Sequence, residues 1–416
     1  MKTQRGRVRL LIAAAAAVSL SSAALATVMA PTASAAQTYW LPPTGNLTIV
    51  GHGFGHGRGM SQYGAQGAAL AGKTATQILN FYYPGTTSTT ASGSMRVWIS
   101  GDTTSNVRVK PARGLRVRDL GDNAVWTLPG SSSVTQWSIE PYGDHQTRLM
   151  YFDASANRWR VFGWRPIFKG MAQFEGSALK TLIMPSGSTR QYRGVLRSAD
   201  RAGASLDTLN VLRLDDYVRG VVPREAITSW RPAALQAQAV AARTYSVAKR
   251  NAATVAKRDY DICDTIACQV YGGYSNEVAS TNAAVTATAG KIRTYRGKPI
   301  LAEFSSSNGG AMASGPVSYQ VAKLDPYDGY SGNRNPVHTW TKSISRATAE
   351  RTLGVGTLKS IVVAKRTGLG QWGGRVQTVI VIGSAGSKTY TGDQIRRKLN
   401  LKSNWYSFAT TTITNP

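Results

Sequence analysis

The sequence predicts an α+β fold in which a β-rich scaffold and a helical lobe enclose a groove, and three observations carry that expectation. Between residues 95 and 213, short apolar runs recur, separated by Gly, Asp, Asn and Ser, the pattern of mostly antiparallel strands. Residues 232–257 are instead alanine-rich, with Leu235, Ala239, Ala242 and Ser246 at three- and four-residue spacing, which is one face of a buried helix. A chain of 416 residues is also long enough for a large core shared between two lobes.

At the N-terminus, Lys2, Arg5, Arg7 and Arg9 precede an apolar, alanine-rich run, and Ala33-Ser34-Ala35 forms a small-residue exit. Residues 1–35 therefore read as a secretory signal peptide. The run approaches spanning length, but its alanine and serine content favours cleavage over anchoring. The net charge is +28, and the first 35 residues hold four basic and no acidic residues, leaving +24 on the remainder. The expected location is secreted and cell-wall associated, with anionic wall polymers as partners by charge. Nucleic acid is the weaker alternative and is not expected as a partner, because export removes the usual encounter and no binding motif is present. The charge is spread rather than clustered, so a merely solvated surface is the plainer alternative.

Residues 36–86 form a Gly/His-rich block. A strand over 47–50 leads into glycines at 51, 53, 55, 57 and 59, which let the backbone turn tightly or approach a ligand, and which leave His56, Ser61 and Gln62 projecting ahead of a helix over 61–70. A second helix over 76–83 ends at Pro84-Gly85. His52 and His56 lack the spacing of a helical metal site, so no metal is expected and His56 reads as lining a site. Residues 87–94 are a Ser/Thr-rich linker. Strands are then expected over 95–100, 107–109, 125–128, 159–164, 179–184 and 209–214. The tryptophans among them read as sheet-face or core aromatics, and His145 as structural or incidental.

The core of the chain is 214–412. An apolar, strand-like run ends at Pro223, Glu225 follows in a short connection, and Ser229, Trp230 and Pro232 announce the central helix. Carboxylates at such junctions commonly belong to sites, although a surface or capping role is the usual fate of a glutamate. Arg243 and Tyr245 stand out on an alanine helix. Either Arg243 is a snorkelling surface group, or it binds a carboxylate or sugar near Glu225.

Cys263 and Cys268 are the only cysteines. In an exported chain they suggest one disulfide closing a tight loop that stiffens the approach to Gln269, Tyr271 and Tyr274. A helix over 276–289 and a hairpin, 291–295 and 299–304 around Arg296-Gly297, come next. The polar loop 305–310, with Ser306, is either solvated or reads a polyhydroxylated ligand. His338, Glu277 and Glu303 acquire no role.

Five blocks now converge: residues 214–225, 237–245 (Ala-Gln-Ala-Val-Ala-Ala-Arg-Thr-Tyr), 268–273 (Cys-Gln-Val-Tyr-Gly-Gly), 304–310 (Phe-Ser-Ser-Ser-Asn-Gly-Gly) and 55–65 (Gly-His-Gly-Arg-Gly-Met-Ser-Gln-Tyr-Gly-Ala). Together they resemble the stage II sporulation protein D family. The resemblance implies a peptidoglycan lytic transglycosylase that needs no cofactor and acts on glycan strands, with Glu225 at the catalytic acid position. It also implies that 36–86 belongs with 214–412 in one catalytic domain. The non-catalytic alternative is an enhancer of a wall amidase, which makes a wall amidase the other expected partner.

Three departures from the family pattern stand out. The Gly/His block usually closes the domain but opens it here, while Gly374 to Phe408 resembles what normally precedes that block. This suggests a circular permutation that brings residues 407–411 against 47–51. Ala226 and Ile227 follow Glu225 where the family usually has Met-Pro. Relatives that bind zinc in the Cys loop use histidines absent from this sequence, which favours the disulfide.

Within the resemblance, one carboxylate suffices. It protonates the leaving oxygen and then accepts the proton of the sugar's C6 hydroxyl, whereas hydrolytic glycosidases ordinarily use two. Glu225 then needs a raised pKa, which burial would supply. Gln62 and Tyr271 are expected to orient the glycan, with Arg243, Tyr245, Gln269, Ser306, His56 and Ser61 completing the binding set.

Overall fold

The structure, a computed structural model, describes residues 36–41, 44–163, 167–201, 205–409 and 413–414. Residues 1–35, expected to be a signal peptide, and Trp164 lie outside these residues. The architecture is α+β and β-rich. Its α-helices are α1 (Gln62–Leu70), α2 (Ala75–Tyr82), α3 (Leu214–Glu225), α4 (Pro232–Val255), α5 (Ala279–Ala287), α6 (Arg346–Leu353) and α7 (Gly392–Lys398).

Two antiparallel sheets build the scaffold. One runs Ile262–Cys263, Ser94–Trp98, Ser205–Arg213, Val195–Arg201, Ala172–Glu175, Arg116–Asp119, Val125–Thr127, with only its first pair parallel. The other runs Arg158–Val161, Gln146–Asp153, Val134–Tyr142, Val107–Val109, Lys180–Ile183, Thr189–Tyr192. Their inward residues, among them Val97, Val107, Trp137, Phe174 and Leu196, share one core with Tyr217, Val218, Val221 and Val222 of α3. Alternating inward apolar and outward polar residues make each strand a two-faced element.

The stretch before Glu225 is a helix, not the expected strand. Its valines suggested extended backbone, but Leu214, Tyr217, Val218, Val221 and Val222 are the buried positions. That spacing has the helical period, and tertiary burial outweighs the β-preference of valine. Pro223 falls in the last turn, so it shortens the helix without breaking its middle. Asp215 and Asp216 occupy the first turn, where the helix dipole favours acids.

The segment expected as a linker is partly a strand. Thr87–Thr90 pairs antiparallel with Lys291–Tyr295, and Arg293 reaches across to Asn80, Thr86 Oγ1 and the Thr86 carbonyl at 2.6–3.0 Å. Low complexity misled here, because threonine is a good strand residue. The expected hairpin turn is present, with Arg296 and Gly297 both at positive φ, as a two-residue primed turn requires.

A second core joins the sheet of Leu358–Arg366, Val376–Gly383, Gly386–Thr391 and Gln37–Trp40 to α6, α7 and the strands Asn46–His52, Thr339–Ser345 and Tyr406–Phe408. Here Ile49 pairs with Phe408 and Val50 with Ser407, so the strand Tyr406–Phe408 lies beside the one that leads into the Gly/His block. A third cluster, around Met60, Ile78, Tyr82 and Tyr83, packs on Ala234, Ala237 and Ala241 of α4. The alanines let α1, α2, α3 and α5 all approach the same helix. Its N-terminal half is thereby fixed beneath the end of α3.

Candidate functional site

Five separate segments meet at a cavity of about 270 Å³, lined by His56, Glu225, Tyr245, Ile266, Ala267, Cys268, Gln269, Val270, Glu303 and Phe304. Glu225 is the last residue of α3. Its backbone carbonyl accepts the Gln62 side-chain amide at 2.9 Å, and its carboxylate Oε1 accepts the Val270 N–H at 2.8 Å. Four residues along α1, Gln66 accepts the Arg231 N–H at 3.0 Å. Between these two bonds, Tyr63 meets Trp230 edge to face. Helix α1 therefore grips both ends of the 225–231 connection.

Burial pushes the Glu225 carboxyl above the usual carboxylate range, against the opposing effects of the Val270 N–H, the Gln62 amide and the Arg224 charge. Its position at a helix C-terminus acts in the same direction as burial, since the last carbonyls present negative charge. Val270 is presented by the Cys loop. Cys263 and Cys268 form a disulfide, Tyr271 N–H bonds the Asp264 carbonyl and Gly272 N–H bonds the Gly220 carbonyl of α3, both at 3.1 Å. A Cβ on Gly220 would sit 2.4 Å from the Tyr271 ring, so glycine is what lets this loop lie on the helix.

The opposite wall comes from the glycine-rich loop. Gly57 and Gly59 both have positive φ, and a Cβ on Gly59 would lie 2.0 Å from the Glu303 carbonyl oxygen. That carbonyl accepts the Met60 N–H at 3.1 Å and the Tyr83 hydroxyl at 2.8 Å. Arg58 holds the Glu303 carboxylate with both arms of its guanidinium, Nε to Oε2 at 2.9 Å and Nη2 to Oε1 at 2.7 Å, and Gln320 adds a bond of 2.7 Å to Oε2. Burial works against ionisation of Glu303, but these bonds and the Arg58 charge hold it below the usual range. His56 Nδ1 accepts the Arg58 N–H at 3.0 Å, which leaves Nε2 as the protonated nitrogen. Burial and Arg58 push its pKa down to about 4, so it is a neutral donor at pH 7.

Comparison with known proteins follows this geometry. Residues 202–295, which hold α3, α4 and the Cys loop, match the family described as SpoIID, stage II sporulation protein. Stage II sporulation protein D of Bacillus subtilis (strain 168) is 34% identical over 209 residues, 46% of this chain and 58% of that protein. Its counterpart in Bacillus amyloliquefaciens is 31% identical over the same share. The likeness to the stage II sporulation protein D family is thus carried by the region of α3, α4 and the Cys loop. An amidase enhancer of Bacillus subtilis (strain 168) is 42% identical over 135 residues, 31% of this chain and 17% of that protein. The chain thus spans less than two thirds of each of these relatives.

Of the residues expected from the sequence, the fold brings Glu225, His56 and Tyr245 to one cavity and bonds Gln62 to the Glu225 carbonyl. Several others have structural duties instead. Arg243 is fully buried and bonded to Asp215 Oδ1 at 2.6 Å and to the Lys291 carbonyl at 3.1 Å, which leaves it no free donor fork for a sugar. Gln269 reaches the cavity wall, but its side chain is buried between Tyr217, Ser246 and the Ala242 carbonyl. Tyr271 is buried, donating to Asn210 at 2.6 Å and lying against Tyr217. Ser61 caps α1 and donates to Asp328 at 2.6 Å. Ser306 is half-buried, uses its carbonyl to accept the Tyr63 N–H, and is not among the cavity residues.

The residue that sequence reasoning missed is Glu303. The available signal was the Arg-Gly pair at 58–59 and an acid just before Phe304, but no spacing rule joins positions 245 residues apart. Asp328 was missed too. It is fully buried and accepts from Ser61, Ser307, Asn308, Gly309, Asn335 and His338, so it anchors the 305–310 loop. Among the described residues no three His, Cys, Asp or Glu converge as a metal site would need.

Proposed function

We propose that this chain is a secreted, cell-wall-associated peptidoglycan lytic transglycosylase that cleaves the MurNAc–GlcNAc bond and leaves 1,6-anhydro-MurNAc ends. The observation that carries the proposal is Glu225, a carboxyl at the wall of an open, polar cavity whose pKa burial raises above the usual carboxylate range. A raised carboxyl pKa suits a group to general-acid catalysis. It protonates the bridging oxygen as the C1–O4 bond breaks, the C6 hydroxyl oxygen bonds to C1, and the hydroxyl proton passes to the Glu225 carboxylate, restoring the acid. His56 Nε2–H and the Tyr245 hydroxyl are the donors that would hold sugar hydroxyl or acetamido oxygens.

Anionic wall polymers are the second partner in this proposal. A separate cleft is lined by Arg96, Arg197, Arg250, Lys257 and Arg258 against Asp259 and Asp261. Of these acids, Asp261 is already committed to Arg96.

One observation favours a second reading, enhancement of a wall amidase without glycan cleavage: the likeness to the amidase enhancer. Mass spectrometry of peptidoglycan incubated with the chain, and with Glu225→Gln, separates the two. Anhydro-MurNAc fragments from the wild type alone support the transglycosylase. Intact strands with faster stem-peptide release when an amidase is added support the enhancer.

A further inference from the structure

The proposed reaction needs one carboxylate, yet the cavity is bordered by two whose surroundings push their pKa values in opposite directions. The same about 270 Å³ space is bordered by Glu225 and by Glu303. Tyr245 lies within the influence of both, since burial followed by the charges of Glu303 and Glu225 lifts its pKa to about 12. The groups facing Glu303 are Arg58 and His56 from the glycine-rich loop, Gln320 and Tyr319 from the loop after it, Tyr83 and Tyr245. Those facing Glu225 are Arg224, Tyr217, Tyr245 and the Gln62 amide.

The arrangement around Glu303 is more than a surface ion pair. Its carboxylate receives three donors at 2.7–2.9 Å, its carbonyl two more, and its side chain is 17% exposed. A bidentate Arg fixes orientation as well as charge. A carboxylate that only tied down the loop would have no need to border the cavity. One that is anchored on one side and open on the other is a preorganised anion.

Resting on the transglycosylase reading, we propose that Glu303 is a second catalytic carboxylate, a fixed anion that stabilises the positive charge developing at the anomeric carbon as the glycosidic bond breaks. It forms no bond and moves no proton. The C1–O4 bond breaks with the proton of Glu225 going to O4, the O6–C1 bond forms, and the O6 proton returns to Glu225 while Glu303 stays ionised throughout. Two environments in one cavity thus separate two chemically identical side chains into acid and anion. Activity should therefore follow a bell, lost at acid pH as Glu303 protonates and at alkaline pH as Glu225 ionises.

The test measures fragment release from purified glycan strands by the wild type, Glu225→Gln, Glu303→Gln, Glu303→Ala, Arg58→Gln and His56→Gln, across pH. Loss of a transition-state charge partner predicts that Glu303→Gln lowers kcat about 100-fold with KM within about 3-fold. It also predicts loss of the acid limb. That limb persists in His56→Gln, which excludes the other group titrating there. Arg58→Gln keeps the anion but frees its carboxylate, so its acid limb moves upward. Added formate restores part of the activity of Glu303→Ala by supplying an anion in the vacated space.

An active wild type with an inactive Glu225→Gln but a near-normal Glu303→Gln overturns the assignment of Glu303 and leaves the transglycosylase standing. Equal losses in Glu303→Gln and Arg58→Gln, with no formate rescue, reduce Glu303 to a loop clamp and overturn it as well. A wild type that cleaves nothing overturns both proposals together.

Discussion

Arg243 offers the sharpest separation between a binding role and a folding role, because the sequence suggested the first and the structure assigns the second. Its guanidinium, 0% exposed, joins Asp215 of α3 to the Lys291 and Val285 carbonyls at 2.6, 3.1 and 3.4 Å. It therefore ties α4 to α3, to α5 and to the strand after it. Arg243→Met keeps the stem and removes the head. Breaking one side of a buried pair costs about 3–5 kcal/mol, and the Asp215 side chain is 30% exposed, so solvent recovers part and the lower end applies. The Lys291 carbonyl loses a donor, worth about 1 kcal/mol. The total of about 4 kcal/mol corresponds to a fall in thermal midpoint of roughly 5 °C, because an unfolding entropy of about 2.1 cal/mol/K per residue makes each kcal/mol worth about 1 °C at this chain length. Because Arg243 does not border the cavity, the KM for glycan at low temperature should stay within about 2-fold. A thermal scan and steady-state kinetics read both quantities. A KM raised tenfold with an unchanged midpoint would refute this reasoning and return Arg243 to the substrate.

Three further perturbations test how Glu225 is held. Gln62→Ala removes the amide on the Glu225 carbonyl and is expected to cost about 1 kcal/mol while lowering kcat about tenfold through misplacement of the acid; an unchanged kcat would remove Gln62 from the account. Replacing Cys263 and Cys268 by serine releases the loop that presents Val270, at a stability cost of about 2 kcal/mol. Weakening the Val270 bond takes away a contact that lowers the Glu225 pKa, so the alkaline limb of the rate profile should move to higher pH; a shift the other way contradicts this. Glu225→Gln tests the sign of the shift directly. Burial raises the folded-state pKa, so above it the folded protein carries a desolvated charge that works against folding, while below the unfolded pKa both states are protonated and the group contributes nothing. The substitution should raise the thermal midpoint at about pH 8 and leave it unchanged at about pH 4. An equal gain at both would show that the carboxyl is not buried enough to matter.

The fold was legible wherever one physical signal dominated. The small-residue face of α4, the Arg296-Gly297 turn and the strand–turn–helix order of the Gly/His block follow from periodicity and backbone freedom. The resemblance supplied Glu225, and the contact of Ile49 and Val50 with Phe408 and Ser407 matches the neighbourhood a permuted order requires. Legibility failed where a local preference met a stronger non-local one. Valines 221 and 222 favour strand but are buried on a helix, and Thr87–Thr90 looks like linker until it meets Lys291–Tyr295. Among polar residues, Arg243 and Tyr271 carried attractive chemistry, but their partners, Asp215 and Asn210, are brought to them only by the fold. Glu303 was invisible for the same reason. Its meaning comes from Arg58 and from a shared cavity, and neither is written in the residues beside it.

The central claim, intramolecular attack initiated by Glu225, is tested most directly by digesting glycan strands in water enriched in ¹⁸O and weighing the new chain ends. The account predicts ends that lack the elements of water and carry no label, produced by the wild type and not by Glu225→Gln. Ends that gain one labelled oxygen would contradict it, since water and not the C6 hydroxyl would then have attacked the anomeric carbon.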